Sequence, residues 1–183
     1  MRHANGSHLM YCLNIHPGET LAEVKEAIAQ QATRVKARFC PGEPMALGLR
    51  LSRTAATELV AAATDFKRFL EERDFYAVTI NGFPYGQFHN ARVKEDVYLP
   101  DWTSARRVAY TVDLASILAQ VLPEGETGTI STVPCHYGKQ LQPAAVDNLL
   151  VMADELAAIE RRTGRRVMLA LEPEPDCLLD SQA

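Results

Sequence analysis

Short apolar runs alternate with longer segments of helical periodicity along the chain, and this alternation constrains the fold more than any other feature. The apolar runs begin near residues 11, 46, 76, 127 and 167. Their length and aliphatic content are typical of buried strands. Between them, apolar residues recur three and four positions apart, as on one face of an α-helix. The pattern predicts the order βαβαβαβαβ, which is typical of a parallel sheet with right-handed crossovers.

Residues that start and stop helices support this order. A Thr and a Glu three positions apart can form a capping box, a Ser or Thr can cap the following helices, and a Pro–Gly pair brackets the last helix. These residues are Thr20 with Glu23, Ser52, Thr103 or Ser104, and Pro143 with Gly164. We expect a strand over 11–15 and four helices. Phe39 is expected on the buried stripe of the first helix.

Two architectures fit a single domain over residues 1–183. One is an open, doubly wound sheet of five parallel strands. The other is a (β/α)8 barrel, which needs roughly 250 residues. In the second case, the 183 residues hold about the first five strands and four helices.

Composition narrows the classes of partner. The formal net charge is −4, which provides no basic surface for nucleic acid or an anionic membrane. No apolar run approaches the ~20 residues of a membrane span, and residues 1–10 contain no signal-peptide core. The four cysteines are widely spaced and form no CxxC pair, so we expect free thiols and a cytoplasmic protein. Motifs of dinucleotide, P-loop, hydrolase and zinc-protease sites are absent from the sequence.

Candidate site residues follow the predicted strands, because ligands of parallel α/β folds bind at the carboxyl ends of the strands. His16 could ligate a metal or bind a substrate hydroxyl, or it could be an exposed histidine in a turn. The aromatic loop over 81–102 suits either a lid over a pocket or a seal at one end of the core. Lys94 could act in acid–base catalysis or bind a phosphate, or it could form a solvated ion pair with Glu95. The candidates after the strands include Asn14 and His16, Asn81, His89, Lys94, Trp102, His136, Glu172 and Glu174.

The sharpest local feature is the string from Leu171 to Asp176, in which Glu172 and Glu174 each precede a proline. Two carboxylates directly after an apolar strand suit a hard divalent cation or enolisation chemistry. Glutamates in a proline-rich turn are also common on protein surfaces.

Several strings resemble a known family, the EboE-type metabolite-traffic proteins of the Ebo cluster. They are HLMYCLNIHPGE over 8–19, GLRLS over 48–52, TINGFPYG over 79–86 with Phe88 and His89, VKE over 93–95, Tyr98 with PDW over 100–102, ISTVP over 130–134 and LEPEP over 171–175. The resemblance covers about residues 8–176. It implies a TIM barrel of the xylose isomerase type, related to sugar phosphate isomerases.

The resemblance also implies roles for individual residues. Barrels of this type hold a divalent metal (Mn, Mg or Zn) with a glutamate after strand five, which matches Glu172. Glu174 is its neighbour. From their places after the strands we expect the other candidates to be catalytic, in the case of His89, His136 and Glu174, or substrate-binding, in the case of Asn14, His16, Asn81, Lys94 and Trp102. The sequence ends before strand six, so the metal ligands of later strands are missing from it.

Three functional hypotheses follow. The chain could belong to a metal-dependent isomerase or epimerase of a sugar or sugar phosphate. It could be a non-catalytic accessory protein that binds a sugar-like metabolite, with other Ebo-cluster proteins or a C-terminal half of the barrel as partners. It could also be an inactive, truncated product. Under the first two, the candidate residues should cluster at one end of the strands, with 82–102 an irregular excursion there.

Overall fold

The computed structural model describes residues 1–83 and 98–180, and its centre is a sheet of five parallel strands. The strands pair in the order in which they occur in the sequence, and every pair is parallel. The sequence-based prediction of an α/β fold with a parallel sheet is therefore confirmed. The strands are β1 (Met10–Cys12), β2 (Met45–Arg50), β3 (Phe75–Asn81), β4 (Thr127–Thr132) and β5 (Arg166–Leu171).

The helices lie between the strands, as the periodicity predicts. They are α1 (Leu21–Ala27), a π-helical turn (Ile28–Ala32), α2 (Thr33–Phe39), α3 (Arg53–Val60), α4 (Ala63–Glu71), α5 (Ala105–Val121) and α6 (Pro143–Thr163). The capping box of Thr20 and Glu23 is present, and Ser52 and Ser104 cap α3 and α5. Gly164 ends α6 in the left-handed conformation, at φ 67°.

Three local predictions are wrong. The strand predicted over 11–15 is only the three residues of β1, because Leu13–Ile15 turn into a 3₁₀ helix instead. The helix predicted after Ser52 is two helices, α3 and α4, separated at Ala61 and Ala62. Phe39 is 68% exposed rather than buried, and the Arg38 guanidinium lies 5.6 Å from its ring centroid.

The helices form one layer. In this layer α1 contacts α3, both α3 and α4 contact α5, and α5 contacts α6. The central helix α5 also packs on β3, β4 and β5. Strand residues such as Ile80 and Ile130 point into this layer and are completely buried.

Alternation along the strands sends the next residues to the opposite face of the sheet. There, hydroxyl and amide groups join neighbouring strands. The Thr129 hydroxyl donates to the Thr79 hydroxyl at 2.8 Å, and the Ser131 hydroxyl donates to Asn81 Oδ1 at 2.8 Å. Met168 of β5 pairs with Thr129 in register and is 46% exposed. This face is thus polar in its middle and apolar at the β5 side.

The two outer strands, β1 and β5, each pair with one neighbour only among the strands that the structure describes. The sheet formed by these five strands is therefore open. Within the described ranges, no helix combines the length and the apolar character that crossing a membrane requires.

Candidate functional site

The carboxyl ends of the five strands lie at one edge of the sheet, because all five strands are parallel. Most of the predicted site residues follow these ends directly. Asn14 and His16 follow β1, Asn81 ends β3, His136 follows β4, and Glu172 and Glu174 follow β5. His89 and Lys94 lie outside the described residues, as does most of the excursion predicted over 82–102.

His136 is the predicted residue with the most informative surroundings. It is buried, and its Nδ1 lies 2.8 Å from the carbonyl oxygen of Tyr137. Because a carbonyl can only accept a hydrogen bond, Nδ1 carries the proton in the neutral imidazole. The lone pair is then on Nε2, which is buried and has no hydrogen-bond partner among residues 1–83 and 98–180. His136 thus presents a fixed, unsatisfied acceptor.

Asn81 is held at the end of β3 by β4. Its Oδ1 accepts the hydrogen bond from the Ser131 hydroxyl, and the next peptide N–H, of Gly82, donates to the Ser131 carbonyl oxygen at 2.8 Å. Because Oδ1 is fixed, the direction of the side-chain amide nitrogen of Asn81 is fixed as well. This arrangement offers a hydroxyl–amide pair to a polar ligand.

Gly82 is needed because the chain passes very close to β4 at this point. A Cβ at Gly82 would lie 2.7 Å from the backbone oxygen of Ser131. We therefore expect Gly82→Ala to destabilise the protein by about 1–3 kcal/mol, the usual cost of overpacking. Urea unfolding followed by circular dichroism measures this. The control is Ala29→Ser, at an exposed position of the π-helical turn. Gly125→Ala is not used as a control, because φ is 77° at Gly125 and a side chain there would strain the backbone. Equal stability of Gly82→Ala and wild type would contradict the close approach.

The loop after β1 is fixed by a buried arginine that the sequence analysis missed. Arg50, the last residue of β2, donates through Nη1 to the carbonyl of Gly18 at 3.2 Å and to Glu19 Oε1 at 3.0 Å. Its side chain is 4% exposed. The hydroxyl of Ser52 also donates to the Glu19 carbonyl, at 2.6 Å. The available signal was a single arginine inside an otherwise apolar strand.

On the same loop, His16 is half-buried and its Nε2 lies 2.7 Å from the Tyr11 hydroxyl. Asn14 is exposed in the 3₁₀ turn. Their predicted contacts with substrate stay predictions.

A second buried arginine, Arg107 of α5, was also missed. It is completely buried, and it donates through Nη1 to the Gly82 carbonyl at 2.7 Å and through Nε to the Pro100 carbonyl at 2.6 Å. In the sequence, Arg106 and Arg107 look like two ordinary surface charges at a helix start. No local signal distinguishes the buried one.

Trp102 is completely buried and belongs to the hydrophobic core. Its backbone N–H donates to the Cys135 carbonyl at 2.9 Å, and its carbonyl accepts from Asn148 of α6 at 2.8 Å. The indole Nε1 has no acceptor within the part of the chain that the structure describes. Its predicted role in substrate binding stays a prediction.

The turn after β5 brings Glu172 and Glu174 beside the β4 loop. The backbone N–H of Glu172 donates to the Thr132 carbonyl at 2.9 Å, and Tyr137 forms a β-bridge with Cys177. Burial and a hydrogen bond with Cys177 raise the pKa of Tyr98 to about 12. Burial also raises the pKa of the Cys177 thiol. Both groups are therefore neutral at pH 7 and pack as uncharged side chains.

The described residues do not complete a metal site. No group of three or more His, Cys, Asp or Glu side chains is placed to hold an ion anywhere in 1–83 or 98–180. The expected role of Glu172 as a metal ligand stays a prediction.

A cavity of about 540 Å³ lies at the opposite end of the sheet, among the amino ends of the strands. There His8 lies 3.0 Å from the Tyr76 hydroxyl through Nδ1 and 3.0 Å from Glu126 through Nε2. Arg2 forms an ion pair with the same carboxylate. These contacts hold residues 1–9 against the amino-terminal end of the sheet.

No protein-family model, curated protein or solved structure matches this chain.

Proposed function

We propose that the carboxyl edge of the sheet binds a small polyhydroxylated metabolite, a sugar or a sugar-like molecule. The observation that carries the proposal is the buried Nε2 of His136, fixed as an acceptor by the Nδ1 contact with the Tyr137 carbonyl. A buried acceptor without a partner costs about 1–3 kcal/mol, and a hydroxyl of a bound ligand would remove this cost. Asn81 and Ser131 add amide and hydroxyl groups at the same edge.

The strand order supports the barrel as the architecture in which this site is built. The five strands follow one another without a reversal, and the helices form a single layer. A (β/α)8 barrel is built in this way, whereas a doubly wound sheet reverses its strand order at a switch point and has helices on both faces. We therefore propose that the chain forms part of a xylose isomerase-like barrel, as the resemblance to EboE-type proteins implies.

Two roles are compatible with such a site. One is metal-dependent isomerisation or epimerisation of a sugar or sugar phosphate. In that role Glu172 would help to hold the metal, which would polarise a carbonyl or hydroxyl of the substrate, and His89, His136 and Glu174 would be the candidates for moving a proton. The other is binding without turnover, in metabolite traffic with other Ebo-cluster proteins. The four unpaired thiols suit a cytoplasmic location.

Calorimetric titration with D-xylose, myo-inositol and D-ribose 5-phosphate, each with and without Mn²⁺, tests the proposal. We expect at least one probe to bind, and we expect His136→Ala to weaken its binding about 10-fold or more, since a buried hydrogen bond to the ligand is lost. His3→Ala is the matched control, because His3 is exposed near the amino terminus. Its affinity should equal that of wild type.

Two outcomes would contradict the proposal: no binding of any probe to wild type, or equal affinity of wild type and a folded His136→Ala variant. A separate assay distinguishes the two roles. Mn²⁺-dependent turnover that is abolished by Glu172→Gln would identify an enzyme, whereas binding without turnover would identify an accessory protein.

A further inference from the structure

Two segments meet the carboxyl edge of the sheet at the places where the chain leaves β3 and returns toward α5. The departing segment begins at Gly82, directly after Asn81. The returning segment includes Pro100 and leads to Trp102. Arg107 lies between the two segments, and its guanidinium bonds to a backbone carbonyl of each.

The contacts of Arg107 continue to the polar groups of the site. The peptide of Gly82 is held on both sides, since its carbonyl accepts from Arg107 and its N–H donates to the Ser131 carbonyl. The hydroxyl of the same Ser131 fixes the Asn81 side chain. On the returning side, Pro100 is two residues from Trp102, whose backbone N–H is bonded to the carbonyl of Cys135, the neighbour of His136.

We propose that Arg107 is a positioning residue for the metabolite site. It joins Gly82 of the departing segment to Pro100 of the returning segment and thereby sets the spacing between Asn81 on one side and His136 on the other. This inference rests on the proposed function for its ligand, but the clamp itself can be tested without one. An arginine suits this place because its rigid, forked guanidinium carries donors on separate nitrogens, which reach two carbonyls in fixed directions, whereas the donors of a lysine all lie on one nitrogen.

The experiment compares Arg107→Lys with wild type and with Arg53→Lys. The control is matched because Arg53 donates to Asp113, on the same helix α5, at 2.6 Å. Trp102 is the only tryptophan of the chain, so its fluorescence reports on the returning segment. For Arg107→Lys we expect red-shifted emission, at least twofold stronger acrylamide quenching and at least tenfold faster hydrogen exchange of the Gly82 amide. Arg53→Lys should leave all three unchanged.

The ligand arm uses the same probes, D-xylose, myo-inositol and D-ribose 5-phosphate. We expect Arg107→Lys to weaken the binding of the probe that wild type binds by about 10-fold, with little change for Arg53→Lys. Unchanged Trp102 emission and Gly82 exchange in a folded Arg107→Lys variant would overturn the clamp. Altered reporters with unchanged affinity would overturn its role in the site. If wild type binds no probe, the proposed function fails, while the two reporters still decide whether the clamp exists.

A measurement on wild type covers the case in which Arg107→Lys does not fold. The clamp requires a slowly exchanging Nε–H of Arg107 with a through-hydrogen-bond coupling to the Pro100 carbonyl carbon in the NMR spectrum. A rapidly exchanging Nε–H without that coupling would overturn the proposal.

Discussion

Replacing Trp102 with alanine is expected to lower the free energy of unfolding by about 3–5 kcal/mol, the range for removing a large aromatic side chain from a core. The side chain is completely buried among residues of the main hydrophobic cluster. Both backbone polar groups of Trp102 are also bonded, to the β4 loop and to α6. Because these bonds hold the backbone in place, neighbouring side chains cannot easily move into the space that the indole leaves. Urea unfolding followed by far-ultraviolet circular dichroism measures the loss.

Trp102→Phe separates packing from polarity at the same position. Phenylalanine keeps most of the aromatic volume and removes the indole N–H, which has no acceptor in the ranges 1–83 and 98–180. We expect this variant to lose less than about 1.5 kcal/mol. A Trp102→Ala variant with wild-type stability but weaker sugar binding would show instead that the indole acts mainly on the ligand.

Local sequence signals were sufficient for much of the fold. The capping box of Thr20 and Glu23 and the αL residue Gly164 depend on neighbours within a few positions, so their sequence pattern specifies their structure. The parallel α/β sheet could also be predicted, because the alternation of periods is a property of the whole chain. The order of the strands within the sheet was left open between two architectures. Phe39 was misplaced because the buried row at the end of α2 runs through Lys36 and Cys40, and helical spacing alone could not show that Phe39 lies beside this row.

The interruption between α3 and α4 had no local signal. Ala61 and Ala62 are good helix formers, yet Ala62 has φ −112° and ψ 12° and starts a new helix. The packing of both helices on α5 sets this break. Tertiary contacts of this kind override intrinsic propensity, and a single sequence does not display them.

The candidate site was predictable in its position and not in its chemistry. That His136 follows β4 was evident from the sequence, but its burial and its fixed proton depend on the turn that brings the Tyr137 carbonyl to Nδ1. Arg107 became visible only in the structure, because burial of an arginine depends on carbonyls from distant segments. The one signal for Arg50 was its place in an apolar strand, and its contact with the Gly18 carbonyl was not predictable. Such residues are exceptions to the rule that charged side chains lie on the surface.

The 183-residue chain is expected to self-associate at the β5 edge of the sheet, through Met168 on one face and the helix α6 on the other. An unpaired strand edge is a template for another chain, and parallel strands are normally covered on both faces. Here β5 pairs only with β4 among the described strands, and Met168 is 46% exposed. On α6, Val146 and Leu150 lie one turn apart and are 38% and 62% exposed. Each such side chain gains about 1.5–3 kcal/mol when it is covered.

Size-exclusion chromatography at increasing protein concentration tests this expectation. Wild type should elute above its 20.2 kDa mass and dissociate on dilution. Leu150→Lys and Met168→Lys should each raise the dissociation constant about tenfold or more, because a lysine ammonium must then be desolvated in the contact. Phe39→Lys is the matched control, since Phe39 is 68% exposed at the end of α2, outside the proposed contact. A monodisperse wild-type monomer that melts cooperatively would mean that neither β5 nor α6 needs a partner. The edge would then be stable in water through the charges beside it, such as Arg166 at its first position, rather than through a second chain.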